Sequence, residues 1–177
     1  KWESIALEFD DTTAGGQKCI SQGDNLYLAQ GYAPTQFQPK MWGKTALTKI
    51  TAVRLELLPD SNLPRGGPGR SIFGTAALSE FEMRIAPEGT PIADWDKWTN
   101  VEVASAIADV NAPERPLGSQ FHKREKENRV TGPIKFAIDG KAETAWTTDI
   151  DPFTRNEMHE AIFTLKTPLE VPAGHMI

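Results

Sequence analysis

Thr48-Lys49-Ile50-Thr51-Ala52-Val53-Arg54-Leu55-Glu56-Leu57-Leu58 is the stretch that decides the fold. Thr51, Val53, Leu55 and Leu57 fall on one side of an extended chain, while Ala52, Arg54 and Glu56 fall on the other. That period of two belongs to a strand with one face on a core and one in water. Working outward, the same alternation recurs at Ile5, Leu7 and Phe9 within residues 2–9. It recurs over residues 78–85, where Phe81, Met83 and Ile85 are expected inside and Glu80, Glu82 and Arg84 outside. It continues at Val101, Val103, Ser105 and Ile107, and at Ala161, Phe163 and Leu165 within residues 160–165. A weaker pair, residues 18–22 and 25–30, is expected to turn at Gly23-Asp24.

The segments between these runs punctuate them. Residues 10–16 end the first strand. Residues 59–70 hold Pro59, Pro64, Pro68 and three glycines, and cannot keep a ladder because proline lacks the N–H donor and glycine invites positive φ. Residues 86–100 read as a long loop carrying Trp95 and Trp98. The mixed-sign run Lys123-Arg124-Glu125-Lys126-Glu127 reads as solvated loop or one short helix. Residues 133–138 suit a helical turn, which Asp139-Gly140 reverses. The sum is an all-β chain, an antiparallel β-sandwich or jelly roll, taken as a single domain over residues 1–177. Gly174-His175-Met176-Ile177 stops where a further alternation is expected, so the last strands of the sandwich are expected beyond this sequence or from another chain.

Composition narrows the function. The chain has 24 acidic and 19 basic residues, a formal charge of −5 and no basic stripe, which argues against nucleic acid as a partner. No apolar run is long enough for a membrane span. Lys1-Trp2 is neither an initiator start nor a signal peptide, so the chain is expected to be a piece of a longer precursor. Cys19 is the single cysteine, so neither an internal disulfide nor a haem-attaching Cys-x-x-Cys-His exists in this segment. Its plain reading is a buried, inert thiol.

Catalytic constellations are not recognisable. Asp149 with Asp151, or Asp10 with Asp11, are neighbours in sequence, whereas glycosidase carboxylates must face each other across a cleft. His159-Glu160 lacks the second histidine of a zinc-protease helix, and no Gly-x-Ser-x-Gly elbow is present. His122, His159 and His175 read as surface or edge residues. Binding is the better class. Among five tryptophans, Trp42, Trp95 and Trp98 stand in polar, loop-like surroundings, where an indole can stack on the C–H face of a sugar ring; Tyr32 and Arg70 add contacts. The competing reading is that each pins a loop. At Asp139-Gly140 and Thr144, a turn beside a carboxylate and a hydroxyl offers oxygens suited to calcium, or else makes a metal-free Asx turn.

Ala137-Ile138-Asp139-Gly140-Lys141-Ala142-Glu143-Thr144-Ala145-Trp146 and Leu78-Ser79-Glu80-Phe81-Glu82 resemble two signatures of the galactose-binding, discoidin-like superfamily, here in reversed order. A second resemblance runs through residues 50–60, Leu63-Pro64, Gly67-Pro68-Gly69-Arg70 and residues 77–82. It is to a discoidin-like module of large secreted planctomycete-type proteins that often carry c-type cytochrome domains. The resemblance implies a structural Ca2+ held by Asp139, Thr144, the carbonyl of Lys141 and Glu80, with Trp146 in the core. It also implies a non-catalytic accessory module, extracellular or periplasmic, that binds polysaccharide. The alternative is a structural or protein-interaction domain docking on neighbouring, haem-bearing domains of the parent protein, with no haem in this segment.

Overall fold

A computed structural model of the chain describes residues 1–10, 15–122 and 128–177. Asp11 and the charged run at 123–127 lie outside the described residues. The chain is all-β. In order its strands are β1 (Glu8–Phe9), β2 (Gln17–Gly23), β3 (Leu26–Gly31), β4 (Met41–Trp42), β5 (Lys49–Leu57), β6 (Ala77–Leu78) and β7 (Met83–Pro87). There follow β8 (Thr99–Val101), β9 (Val103–Ala108), β10 (Arg115–Pro116), β11 (Val130–Gly132), β12 (Thr144–Thr147), β13 (His159–Glu170) and β14 (His175–Met176). Helix among the described residues is confined to short 3-10 turns, and none is long and apolar enough to cross a membrane. Two compact units result: Lys1–Ile50 with Met83–Val101 and Leu169–Ile177, and Thr51–Glu82 with Glu102–Pro168.

The second unit is a β-sandwich. One sheet has the order β5-β13-β9 and the other β10-β11-β12-β6. Between them lie Ile134, Ala137, Trp146, Ala161 and Phe163, with Leu55, Leu57, Leu78 and Val103 packed against them. The alternation of β5 and β13 built this core directly, since Leu55 and Leu57 come from one strand and Ala161 and Phe163 from its neighbour. Phe163 stacks on Phe81 at 4.1 Å between centroids and 11° between planes. The Trp146 indole N–H, otherwise stranded in the core, donates to Val110 O at 3.0 Å. Strands β13 and β9 pair antiparallel, as do β10 with β11 and β12 with β6, whereas β11 and β12 run parallel because the chain crosses between them through the 3-10 turn Ile134–Ile138.

Two strand expectations are corrected here. Residues 78–85 are not one strand: β6 ends at Leu78 and β7 begins at Met83, one in each unit. The break lets the Phe81 N–H leave the ladder and donate to Ala137 O at 2.8 Å, which aims the ring at Phe163. In β9 the alternation changes phase. Val103 pairs with Leu165 but Ser105 with Thr164, so one extra residue is inserted as a bulge. Beyond it Ala106 and Ala108 face the core, opposite Phe163 and Ala161, and Ile107 is 64% exposed. The reason is volume: the Phe163 ring fills the layer and leaves its cross-strand neighbour room only for a methyl group.

In the first unit β2 and β3 form a hairpin, with Gln17 opposite Gly31 and Gly23 opposite Leu26. Its turn sits one residue later than Gly23-Asp24, at Asp24-Asn25, whose φ angles of 49° and 60° are the paired positive values of a two-residue hairpin turn. β1 is shorter than residues 2–9 because its partner β4 offers only Met41 and Trp42, after Pro39 and before Gly43. Residues 86–100 are more ordered than a loop: β7 runs on to Pro87, a 3-10 turn covers Ile92–Lys97, and β8 starts at Thr99. β7 is central in the sheet β14-β7-β8, and over it Ala86, Trp98 and Met176 are buried with Trp42, Ile92 and Trp95 against them.

Candidate functional site

In the second unit the four residues of the expected oxygen cluster come together. The 3-10 turn ends at Ile138, and Gly140, with φ 76°, reverses the chain so that Thr144 returns over Asp139. Thr144 Oγ1 lies 2.9 Å from both Asp139 Oδ1 and Oδ2 and 3.2 Å from Lys141 O. Glu80 arrives from the segment after β6: its Oε1 accepts the Lys141 N–H at 2.8 Å, and Asp139 Oδ1 accepts the same N–H at 3.0 Å. One amide donor thus serves two carboxylates. Burial holds the Glu80 carboxyl above its ordinary value, helped by a hydrogen bond to Asp139 and then by the like charge of that residue, although bonds from the Lys141 and Gly140 amides oppose this.

The Glu80 and Asp139 carboxylates meet on the Lys141 N–H, and Asp139 also meets the Thr144 hydroxyl beside the Lys141 carbonyl; these are hard oxygen donors, and they fit calcium better than zinc, which takes nitrogen and sulfur. No group of three or more His, Cys, Asp or Glu side chains is assembled for a metal among the described residues. A calcium ion on these four residues would therefore complete its shell with water.

The aromatic candidates divide differently. Trp98 is 4% exposed and its indole N–H reaches Pro91 O at 3.4 Å, so its face is spent on packing. Trp95 tilts against it at 5.4 Å and is half-buried, with the Arg84 guanidinium 5.4 Å from its ring and Arg84 Nη1 donating to Trp95 O. Trp42 is half-buried on the same cluster. Tyr32 is 71% exposed. Arg70 belongs to the second unit, where it is half-buried.

Cys19 is half-buried on β2 rather than buried. His159 is not a surface residue. It opens β13 on the inward phase, is 3% exposed, and sets Nδ1 2.7 Å from Asp109 Oδ2. The sequence reading also passed over Phe153, 89% exposed, and Arg65 with Arg155, whose guanidinium carbons lie 5.4 and 5.1 Å from the Phe73 ring centre. A phenylalanine between proline and threonine in a polar stretch was the available signal for the first. No local pattern announces the second, because residues 65, 73 and 155 meet only in the folded unit. Compared with family models, with curated proteins and with solved structures, the chain finds no match in any of the three.

Proposed function

We propose that this chain is a non-catalytic accessory module of a larger secreted protein, that it binds carbohydrate, and that calcium braces one corner of its sandwich. The observation that carries the reading is the meeting of Glu80 and Asp139 on the Lys141 N–H, beside Thr144, with Glu80 lying 61 positions before the amide it accepts from. The discoidin-like signature implies that same set. A structural role alone would not require two carboxylates on one N–H, an arrangement that a divalent cation makes favourable. Tyr32, 71% exposed, and the half-buried Trp95 are the first unit's candidate stacking residues.

Glycan-array binding tests the proposal. Retention on a polysaccharide that Tyr32→Ala or Trp95→Ala weakens about tenfold supports it, a loss on the scale of one stacking contact. No retention on any glycan, with the protein folded, sinks it. A second reading, a protein-docking domain, is favoured by Ile107, an aliphatic side chain 64% exposed on β9. Binding to the parent protein's neighbouring domains in the absence of any glycan binding would install that reading instead.

A further inference from the structure

Strand β9 stands at one side of the sheet β5-β13-β9, and among the described residues no strand lies along its other edge. Which of its backbone groups face that edge follows from the ladder. The Asp109 N–H donates to Glu160 O at 3.1 Å, and in an antiparallel pair the bonds fall on every second residue, so Ile107 and Ser105 spend their N–H and C=O groups on β13. Those of Ala106 and Ala108 point the other way, to the open edge.

An unpaired row of this kind is a template for another strand, and proteins that keep it free guard it with charges, proline or a bulge. The bulge of β9 lies between Val103 and Ser105, ahead of the stretch in question, and Val103-Ala104-Ser105-Ala106-Ile107-Ala108 holds neither a charge nor a proline. At the opposite side of the sheet β5 carries Lys49, Arg54 and Glu56. The acidic residues flanking β9 are tied to their own chain. Glu102 Oε2 lies 2.7 Å from Lys166 Nζ, while Asp109 sets Oδ2 2.7 Å from His159 Nδ1 and accepts the Glu160 N–H on Oδ1 at 3.0 Å. On the outer face of the bare stretch stands Ile107, 64% exposed.

We propose that β9 pairs with β9 of a second copy of this chain, antiparallel about a two-fold axis at Ile107, so that the sheet runs on through both copies. The register favours a second copy over an unrelated strand. With Ile107 opposite Ile107, Ala106 falls opposite Ala108 and Ala108 opposite Ala106, and each of these pairs exchanges both N–H···O bonds, which uses every outward group of the two alanines. The residues on the axis form a pair without hydrogen bonds of their own, the kind whose side chains come closest, so two isoleucines that the single chain leaves in water cover each other. Ala106 and Ala108 face the core with methyl groups alone and do not bar the approach. One strand pair is small beside the about 1,200–2,000 Å² of a standard interface, so the dimer is a weak one that forms as concentration rises. The inference does not depend on the carbohydrate reading.

Sedimentation velocity of the intact chain, from micromolar to millimolar concentration, tests it. The expected result is a monomer–dimer equilibrium in the parent. Ile107→Lys and Ile107→Glu each set like charges face to face on the axis and weaken self-association about tenfold or more. Mixed in equal amounts, the two variants put lysine opposite glutamate and recover it. Circular dichroism melting in the dilute range checks that both are folded, as the exposure of the position leads one to expect, and Ile107→Thr, a milder change that keeps a strand-forming side chain, weakens association in the same direction. A parent that stays monomeric through the whole range overturns the proposal and leaves Ile107 to the neighbouring domains. Self-association that survives the substitutions overturns it by placing the contact elsewhere, and a mixture as monomeric as its two components overturns the axis at Ile107.

Discussion

Glu80→Gln gives the sharpest handle on the calcium corner. Glu80 Oε1 and Asp139 Oδ1 accept one and the same N–H, from Lys141, at 2.8 and 3.0 Å, so the two oxygens are within about 6 Å of each other. A glutamine keeps an oxygen for that N–H and deletes only the charge. At such a separation the repulsion removed is about 1 kcal/mol once discounted for the solvent around these half-exposed groups. With a chelator present at neutral pH, Glu80→Gln should therefore be as stable as the parent or slightly more so. With calcium the order inverts. Calcium at a hundredfold excess over its dissociation constant stabilises the folded parent by about 2.7 kcal/mol. For a chain of this length that raises the melting temperature by about 5–10 °C. The rise should shrink in Glu80→Gln and vanish in Asp139→Asn.

The pH dependence is linked to the same pair. Because the folded Glu80 carboxyl titrates above its ordinary 4.5, the folded state holds the extra proton between that value and its own higher one. Glu80 therefore makes chelated protein more stable as pH falls through that window, and calcium, which favours the carboxylate, should remove the gain. Differential scanning calorimetry with calcium and with chelator, across that pH range, reads both effects. A parent melting temperature indifferent to millimolar calcium would refute the reasoning and leave the corner as a plain Asx turn.

Two further outcomes test the sandwich itself. Phe163→Ala removes a fully buried ring stacked on Phe81, and should cost about 4 kcal/mol by denaturant titration; a loss under about 1 kcal/mol would mean the core is not assembled around it. The bulge in β9 predicts that Ile107→Thr changes stability by no more than about 0.5 kcal/mol, whereas Ala106→Asp, opposite Phe163, costs several; the reverse pattern would restore the unbroken alternation.

The sequence by itself determined the class of fold and most of the inner faces of its regular strands, although at the start of β5 Ile50 is buried and Thr51 exposed. In β5 and β13, Leu55, Leu57, Ala161 and Phe163 repeat at a period of two, and a strand with one buried face has no other way to arrange them. It also determined the reversal at Asp139-Gly140, since a glycine at φ 76° after an aspartate is a local matter of backbone sterics. Tertiary structure alone decided what depends on volume and on meetings between distant residues. The alternation at Val101, Val103, Ser105 and Ile107 lost its phase because the Phe163 ring occupied the layer that Ile107 would have needed. Trp98 and Trp95, exposed by their polar neighbours in sequence, were drawn over β7, because an indole recovers more from packing than its neighbours lose by following it. Arg65, Phe73 and Arg155 carry no signature at all, for the two guanidinium groups meet the ring only where the loop and the turn come together.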